Sequence, residues 1–520
     1  MRKQNRKIKR TCLATLAICC VAQLAVVGQP AKPYPPAISS VLTEAKANRS
    51  ELEKALNYMY ATGDSLKIKS IDFLLSNISI HSSADYYWAD NSNHRVSYNE
   101  ANYSSAKEAA SALEALSSKY GKLHPVPYTY RDIDSIKADM LIENINLAVD
   151  KIRERKVEMN KKNEELFLEY VLPYRTSIEP LQNWRKTYTA RFGSFLTESK
   201  LSEAQLSRLY ENVKTWFTNT YRVEVRKEPL PRLGALQLLT TAKGPCEDIA
   251  DLTSLIARSK GFPSAVDFIP AWATASGLHF LNFLGPLPGD KTHYDAAEGT
   301  IVDTLAREPA KVLRTTYSAQ DKTIAFLLKD TTLIPDGFMR FQNYKDVTEE
   351  YWRTADIRTR LFRLKVEKKA AFICVWNNAN WRPVWYGLKK DNDSIVYTNM
   401  AKGAVYLPMY YIDKRMIPAG WPVLNDFGRT IVLQPDTSHK RTVQIEEQTQ
   451  YLAFRAGKKY SLYYWNNTWI PLGTKVPEGT FSKLQFDNVP INALLLLIPE
   501  YSQGKERPFL IKSNGERLWF

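Results

Sequence analysis

Residues 243–300 read KGPCEDIADLTSLIARSKGFPSAVDFIPAWATASGLHFLNFLGPLPGDKTHYDAAEGT. After Cys246 the apolar residues Ile249, Leu252, Leu255 and Ile256 recur three or four apart, forming one helical face, and Gly261 stands where a C-terminal cap ends the run. The thiol therefore opens a helix. There the unpaired backbone amides of the first turn favour thiolate over thiol, which makes a better nucleophile. His279 follows Cys246 by 33 residues and Asp295 follows His279 by 16, each in a segment that reads as a strand.

A thiolate attacking an acyl carbon needs a base to hold and pass a proton, and a third group to fix the imidazole tautomer. Cys, His and Asp in this order supply those roles. Spacing alone is a weak signal in a chain of 520 residues, so the neighbours matter. The string Gly-x-Cys-Glu-Asp, a helix ending in RSKGFP, a strand, PAWA, a short loop, GLHFLN and finally Tyr-Asp resembles the core of the transglutaminase-like superfamily, particularly its secreted bacterial branch. That resemblance implies a papain/transglutaminase-like α+β core with Cys246 as nucleophile, His279 as base and acid, and Asp295 as orienter. It departs from the family pattern at Leu281 and Tyr294, where tryptophans are usual; these positions are expected to wall the site. The Cys246 amide is the expected first oxyanion donor, with Gln237 or an upstream tryptophan as candidates for the second.

Outward from this stretch, the first 28 residues read as a secretory signal: six basic residues by Arg10, an apolar core from Cys12 to Val27, and small residues before a cut after Gly28. The apolar run is interrupted at Gln23 and is short for a membrane span. Lipidation at Cys19 or Cys20 is the poorer reading, because Ile18 and Cys19 are unsuited to the position before a lipidated cysteine. Removal of the signal lowers the formal charge from +16 to +10, and the remaining Lys and Arg are interleaved with acids, as in KIRERKVEMNKKNEEL from Lys151. Nucleic acid is thereby disfavoured as a partner. A basic mature surface suits an acidic substrate or an anionic cell envelope. The expected location is outside the cytoplasm, secreted or periplasmic.

The mature chain keeps two cysteines, Cys246 and Cys374, and Cys374 lies in the strand-like run AAFICVW as a buried free thiol. His81, His94 and His124 show no metal-ligand spacing and read as surface or satisfied histidines; His293 lies close enough to Asp295 to contact substrate. Acyl transfer through a thioester implies no metal and no cofactor.

Residues 29–36, QPAKPYPP, form a Pro-rich tether, and residues 37–221 are helical in pattern throughout. Their DFLLSNI, LPYR and NWR segments extend the family resemblance. The core is placed at 222–310 and a connecting segment at 311–363. Beyond it alternation replaces helical period, and Trp376-Asn377-Asn378 recurs as Trp465-Asn466-Asn467 at an offset of 89 residues, each with a second tryptophan, Trp381 or Trp469, following. Two β-sandwich-like modules are expected, at 364–440 and 441–520. Exposed, their tryptophans would stack on sugar; flanked as they are by apolar strands, they read as core anchors.

The overall reading is α+β: a helical N-terminal region, the core, and two repeated β-modules. As an enzyme, such a chain cleaves or transfers amide or peptide bonds, with hydrolysis favoured because no amine-donor site is evident. The alternative is a catalytically silent envelope protein that binds glycan or protein through its β-modules. The filled triad positions speak against that.

Overall fold

Apolar residues three and four apart build the first helices, α1 (Pro36–Glu44), α2 (Arg49–Ala61) and α3 (Ser65–Asn77), burying Leu52, Leu56 and Met59 on α2 and Ile71, Leu74 and Leu75 on α3. The computed structural model describes residues 34–198, 201–220, 232–285, 292–364, 368–389, 393–448, 452–478, 483–512 and 514–520. The signal expected at 1–28 and most of the tether lie outside them; Pro36 is already helical. Helices and several antiparallel sheets alternate along the chain, an α+β arrangement. No described helix is long and apolar enough to cross a membrane.

The reading of 37–221 as helical throughout is corrected. After α3 comes a three-stranded antiparallel sheet of β1 (Ser82–Ala89), β2 (Arg95–Val96) and β3 (His124–Arg131), in the order β2-β1-β3, with α4 (Ala106–Tyr120) inserted before β3. The aromatic run Tyr86-Tyr87-Trp88 favours a pleated surface, and β3 carries Pro125 and Pro127, which an edge strand tolerates and a helix interior does not. Helix α5 (Ala138–Glu154) then packs Leu141, Ile145, Val149 and Ile152 into the core formed by α1–α3.

A buried ion pair ties this region together. Arg175, after α6 (Lys161–Tyr170), reaches Asp132 at 2.8 Å with the two side chains 3% and 0% exposed, and Asp132 also accepts from Ser83 Oγ and Tyr174 OH. The LPYR and NWR segments are the clamp between helical region and core. Arg185, opening α7 (Arg185–Arg191), donates to the carbonyls of Val171, Leu172 and Pro173 past the end of α6, and to Arg258 O.

After α8 (Glu203–Trp216), the short strand β4 (Thr218–Asn219) runs parallel to β5 (Lys243–Gly244), which follows α9 (Ala235–Thr241). Helix α10 (Cys246–Ser259) leads into a six-stranded antiparallel sheet: β6 (Ser264–Ile269), β7 (His279–Leu284), β8 (Thr292–Asp295), β9 (Thr300–Ile301), β10 (Leu313–Thr315) and β11 (Tyr344–Asp346), in the order β11-β10-β6-β7-β8-β9. The core therefore does not end at residue 310. Strands β10 and β11, three residues each, are too short to show a period in sequence, and they complete the sheet from within the supposed connector.

The next module begins earlier than residue 364, at β12 (Thr354–Arg360), which pairs β15 (Ser394–Ala401). Facing that pair across an apolar core stand β13 (Ala370–Asn377), β14 (Asn380–Leu388) and β16 (Ala404–Ile412), continued by β17 (Arg415–Pro418), β18 (Val423–Asn425) and β19 (Thr430–Val432). The following module repeats the plan. Its pair is β20 (Asp436–Glu446) with β23 (Lys483–Ile491), so the expected boundary at 440/441 cuts through β20. Its larger sheet orders β22 (Trp469–Lys475), β21 (Tyr460–Trp465), β24 (Leu495–Pro499), β25 (Phe509–Ile511) and β26 (Arg517–Trp519).

The repeated tryptophans meet at the join between the modules. Trp376 lies edge-on to Trp381 and Trp469, and Trp465 edge-on to Trp469 and Trp381, with centroids 5.1–5.5 Å apart. Four rings thus close a cycle across a pseudo-twofold axis. Trp376, Trp381 and Trp465 are buried and Trp469 partly so, which makes them anchors of the join between the modules.

Replacing Asp132 by Ala leaves Arg175 charged, buried and unpaired, and is expected to cost about 3–5 kcal/mol of folding stability. Chemical denaturation of the variant against the wild type measures this; a loss under about 1 kcal/mol, the range of an exposed pair, would show the pair to be dispensable.

Candidate active site

The site is built on the open end of a buried helix. Every residue of α10 from 248 to 259 is buried, polar ones included, whereas the apolar spacing had pointed to a single buried face. The costliest of the polar residues are tolerated because they find partners. Arg232 meets Asp251 at 3.2 Å and Glu247 at 2.7 Å, Thr176 donates to Asp251, and Asn282 donates to Ser254 Oγ and to Ala250 O. Burial, opposed by Arg232, pushes the Asp251 carboxyl up to about 7.

Both ends of α10 are set by glycine. Gly261 has φ +76°, Gly261 N donates to Arg258 O and Phe262 N to Ala257 O, the paired bonds of a left-handed C-terminal cap. At the other end a Cβ on Gly244 would stand 2.1 Å from Asp248 Oδ2, so the glycine of Gly-x-Cys-Glu-Asp makes room for an aspartate one turn into the helix. Cys246 follows at the first helical position, half-buried and unpaired, where backbone amides lack intrahelical acceptors.

His279 opens β7 and Asp295 closes β8. The antiparallel register, Asn282 opposite Tyr294, puts the two side chains diagonally across the strands, and His279 Nε2 lies 2.7 Å from Asp295 Oδ2. The other carboxylate oxygen accepts from the amides of Ala297 and Glu298, which fixes its direction. With Nε2 committed to the carboxylate, the ring's Nδ1 is left for the thiol. Burial opposes a charge on His279, but hydrogen bonds to Asp295 and to the Cys246 side chain, with the charges of both, raise the imidazole to about 10. Trp272 stacks on the ring, centroids 6.0 Å apart at 25°.

The three expected catalytic residues are thus brought together, and other candidates are not. Gln237 is buried and its side-chain oxygen accepts from Gly234 N at 2.7 Å, capping α9, a structural role that leaves its side-chain amide nitrogen as the only group that could donate. His293 is bound to Glu350 at 3.0 Å and stacked on Tyr351 inside a network with Arg314 and Asp267, so it serves the sheet. Leu281 and Tyr294, expected as walls, are 0% and 2% exposed and pack in the core. His81 is buried against Tyr317, and burial pushes it down to about 3. Cys374 is an unpaired thiol in the apolar cluster between the two β-modules, pushed up by burial.

No family model matches this chain, and a search of curated proteins gives no match. Among solved structures, the crystal structure of red sea bream transglutaminase is similar at 9% identity and a TM-score of 0.21, over 85% of this chain and 78% of that one. An overlap so loose places no residue.

Two features escaped the sequence. Trp272 sits within the PAWA string, yet nothing in its spacing points to His279. A cavity of about 290 Å³ is lined by Arg232 and Glu247, by Leu278 and Phe280, and by Phe268, Phe338 and Phe341; Glu247, Leu278 and Phe280 are sequence neighbours of Cys246 and His279, which do not themselves line it. Its walls come from segments as far apart in sequence as Ser177 and Tyr344. Among the described residues no group of three or more His, Cys, Asp or Glu could hold a metal ion.

Because pairing raises His279 above its ordinary 6.5, the stability it contributes is fully present below that pH and lost as pH rises through about 10. Asp295→Ala should bring the titration of His279 down toward the ordinary value and flatten this pH-dependence. NMR of ¹³C-histidine-labelled protein reads the shift directly; an unmoved titration would remove Asp295 as the main support of the charge.

Proposed function

We propose that the chain is a transglutaminase-like cysteine enzyme that opens amide or peptide bonds through a thioester. The observation that carries this reading is the hydrogen-bonded line from Asp295 through His279 to Cys246 at the N-terminus of a buried helix. The Cys246 sulfur attacks the carbonyl carbon, and the oxyanion that forms is met by the amides of the helix's first turn. The tetrahedral adduct expels the amine, which leaves with the proton of His279. Water then gives a proton to His279 and attacks the thioester, releasing the acid and restoring the sulfur. Asp295 holds the ring throughout.

Water is the preferred acceptor over an amine. The cavity lined by Phe268, Phe280, Phe338 and Phe341, near Cys246 in sequence through Glu247, suits a hydrophobic side chain of a protein or peptide substrate. By its N-terminal sequence the enzyme works outside the cytoplasm, secreted or periplasmic.

Iodoacetamide labelling followed by mass spectrometry tests the reading. Cys246 should be alkylated far faster than a small free thiol, and His279→Ala should abolish the advantage; alkylation at the free-thiol rate in the wild type would overturn it. Cys246→Ala should abolish turnover of peptide and amide substrates with the melting temperature preserved, since a half-buried thiol contributes little packing. Asp295→Ala should slow turnover less than His279→Ala does, because the orienting group never takes the proton. Equal losses would contradict the assigned roles.

A further inference from the structure

The loop from Pro270 to Leu278 joins β6 to β7, carries Trp272, and delivers the chain directly into His279. One end is held within the core: Trp272 bridges Pro309, Ala273 N donates to Glu308 O, and Thr274 Oγ1 donates to Glu308 Oε2 at 2.7 Å. The other end is held by the C-terminal modules. Asn377, the first asparagine of Trp-Asn-Asn at the end of β13, is 3% exposed and spends its whole carboxamide on this loop. Its Oδ1 accepts from Gly277 N at 3.0 Å, and its Nδ2 donates to Trp272 O, Ala275 O and Gly277 O at 3.1, 3.0 and 2.9 Å. Arg507, before β25, adds donors to Ala273 O and Ala275 O and to Trp376 O.

We propose that Asn377 and Arg507 are positioning residues for His279, so that the two β-modules form the outer frame of the active site. The proposal rests on the acyl-transfer reading of Cys246, His279 and Asp295. Its physical content is a chain of contacts. The carboxamide and guanidinium fix the carbonyls of residues 272–277; the fixed loop holds the Trp272 indole against the imidazole; the imidazole, clamped between indole and Asp295, keeps Nδ1 toward the thiol. Gly277 has φ +90° and open space where a side chain would stand, and within the loop one backbone bond, Trp272 N to Gly277 O at 3.1 Å, closes the turn, so the four bonds from Asn377 are its main external hold. The repeat supplies a control. In the later module the counterpart Asn466 sits in the same motif, and its amide closes its own hairpin on Thr468 O.

Asn377→Ala should lower the rate of iodoacetamide labelling at Cys246 by about ten- to hundredfold, the range expected when a reacting group is displaced by an ångström or so. It should also move the ¹³C-histidine titration of His279 downward, which a loss of stability alone would not do. Asn466→Ala should change neither. Labelling at the wild-type rate with an unmoved His279 titration in Asn377→Ala would overturn the proposal. Should Asn377→Ala fail to fold, Trp272→Leu at a half-buried position carries the same test: the same loss is expected, and a wild-type rate overturns. Should wild-type Cys246 label only at a free thiol's rate, the acyl-transfer reading falls, and the His279 titration in Asn377→Ala still decides the brace.

Discussion

A helix buried on all sides must find a partner for every polar group it carries, and that constraint shapes the structure around α10. Asp251, Ser254 and Arg258 would each be costly if left alone in a core. Each is answered from a different part of the chain. Arg232 and Thr176 answer Asp251, Ser264 and Asn282 answer Ser254, and Arg258 donates to Ser264 O and to Arg175 O. The groups that satisfy the helix are therefore the groups that assemble the fold. Only at the first turn does α10 reach solvent, and there the backbone amides stay available while Cys246 stands half-exposed.

The regions on either side of the core grip it at opposite ends. The helical region holds the C-terminal end of α10, through Arg185 on Arg258 O and through Lys260 on Gly193 O. The β-modules hold the loop that enters β7, through Asn377 and Arg507. Since the four tryptophans lock one module to the other across a pseudo-twofold axis, the arginine of the later module and the asparagine of the earlier one act on the loop as a unit. The two modules share a strand plan and the Trp-Asn-Asn string, yet it is Asn377 of the earlier copy that binds the loop entering β7.

What could be read in the sequence was whatever depended on near neighbours. The helix after Cys246, its glycine cap, the strands bearing His279 and Asp295, the buried Cys374 and the internal repeat all follow from local periodicity or spacing. Three things did not. The sheet from Ser82 to Arg131 was hidden inside a region of strong helical period, between stretches whose three- and four-residue spacing is clear. Strands β10 and β11 are three residues long and owe their conformation to β6. The burial of the polar side of α10 depends on partners such as Thr176, 75 residues from Asp251, and no local pattern announces a partner at that distance. The same reason kept Asn377 from view: it was legible as part of a hairpin, and its acceptors lie 100 to 105 residues away.

The chemistry turns on which of two opposing effects wins at His279. Burial in the cleft disfavours the imidazolium; Asp295 on one nitrogen and the Cys246 side chain nearby favour it, and together they prevail. A ring that holds its proton through neutral pH is a poor base for taking a proton from a thiol. It is well suited to the next demand, giving one to a departing amine, whose expulsion is the difficult step in opening an amide. In the proposed reaction the same imidazolium serves twice: hydrogen-bonded to the Cys246 side chain it supports an anionic sulfur together with the helix end, and it then gives its proton to the departing amine. A loop that moved the imidazole by a fraction of its ring width would sacrifice the proton transfer first, and that loop is held by hydrogen bonds from residues 100 to 234 positions away in sequence.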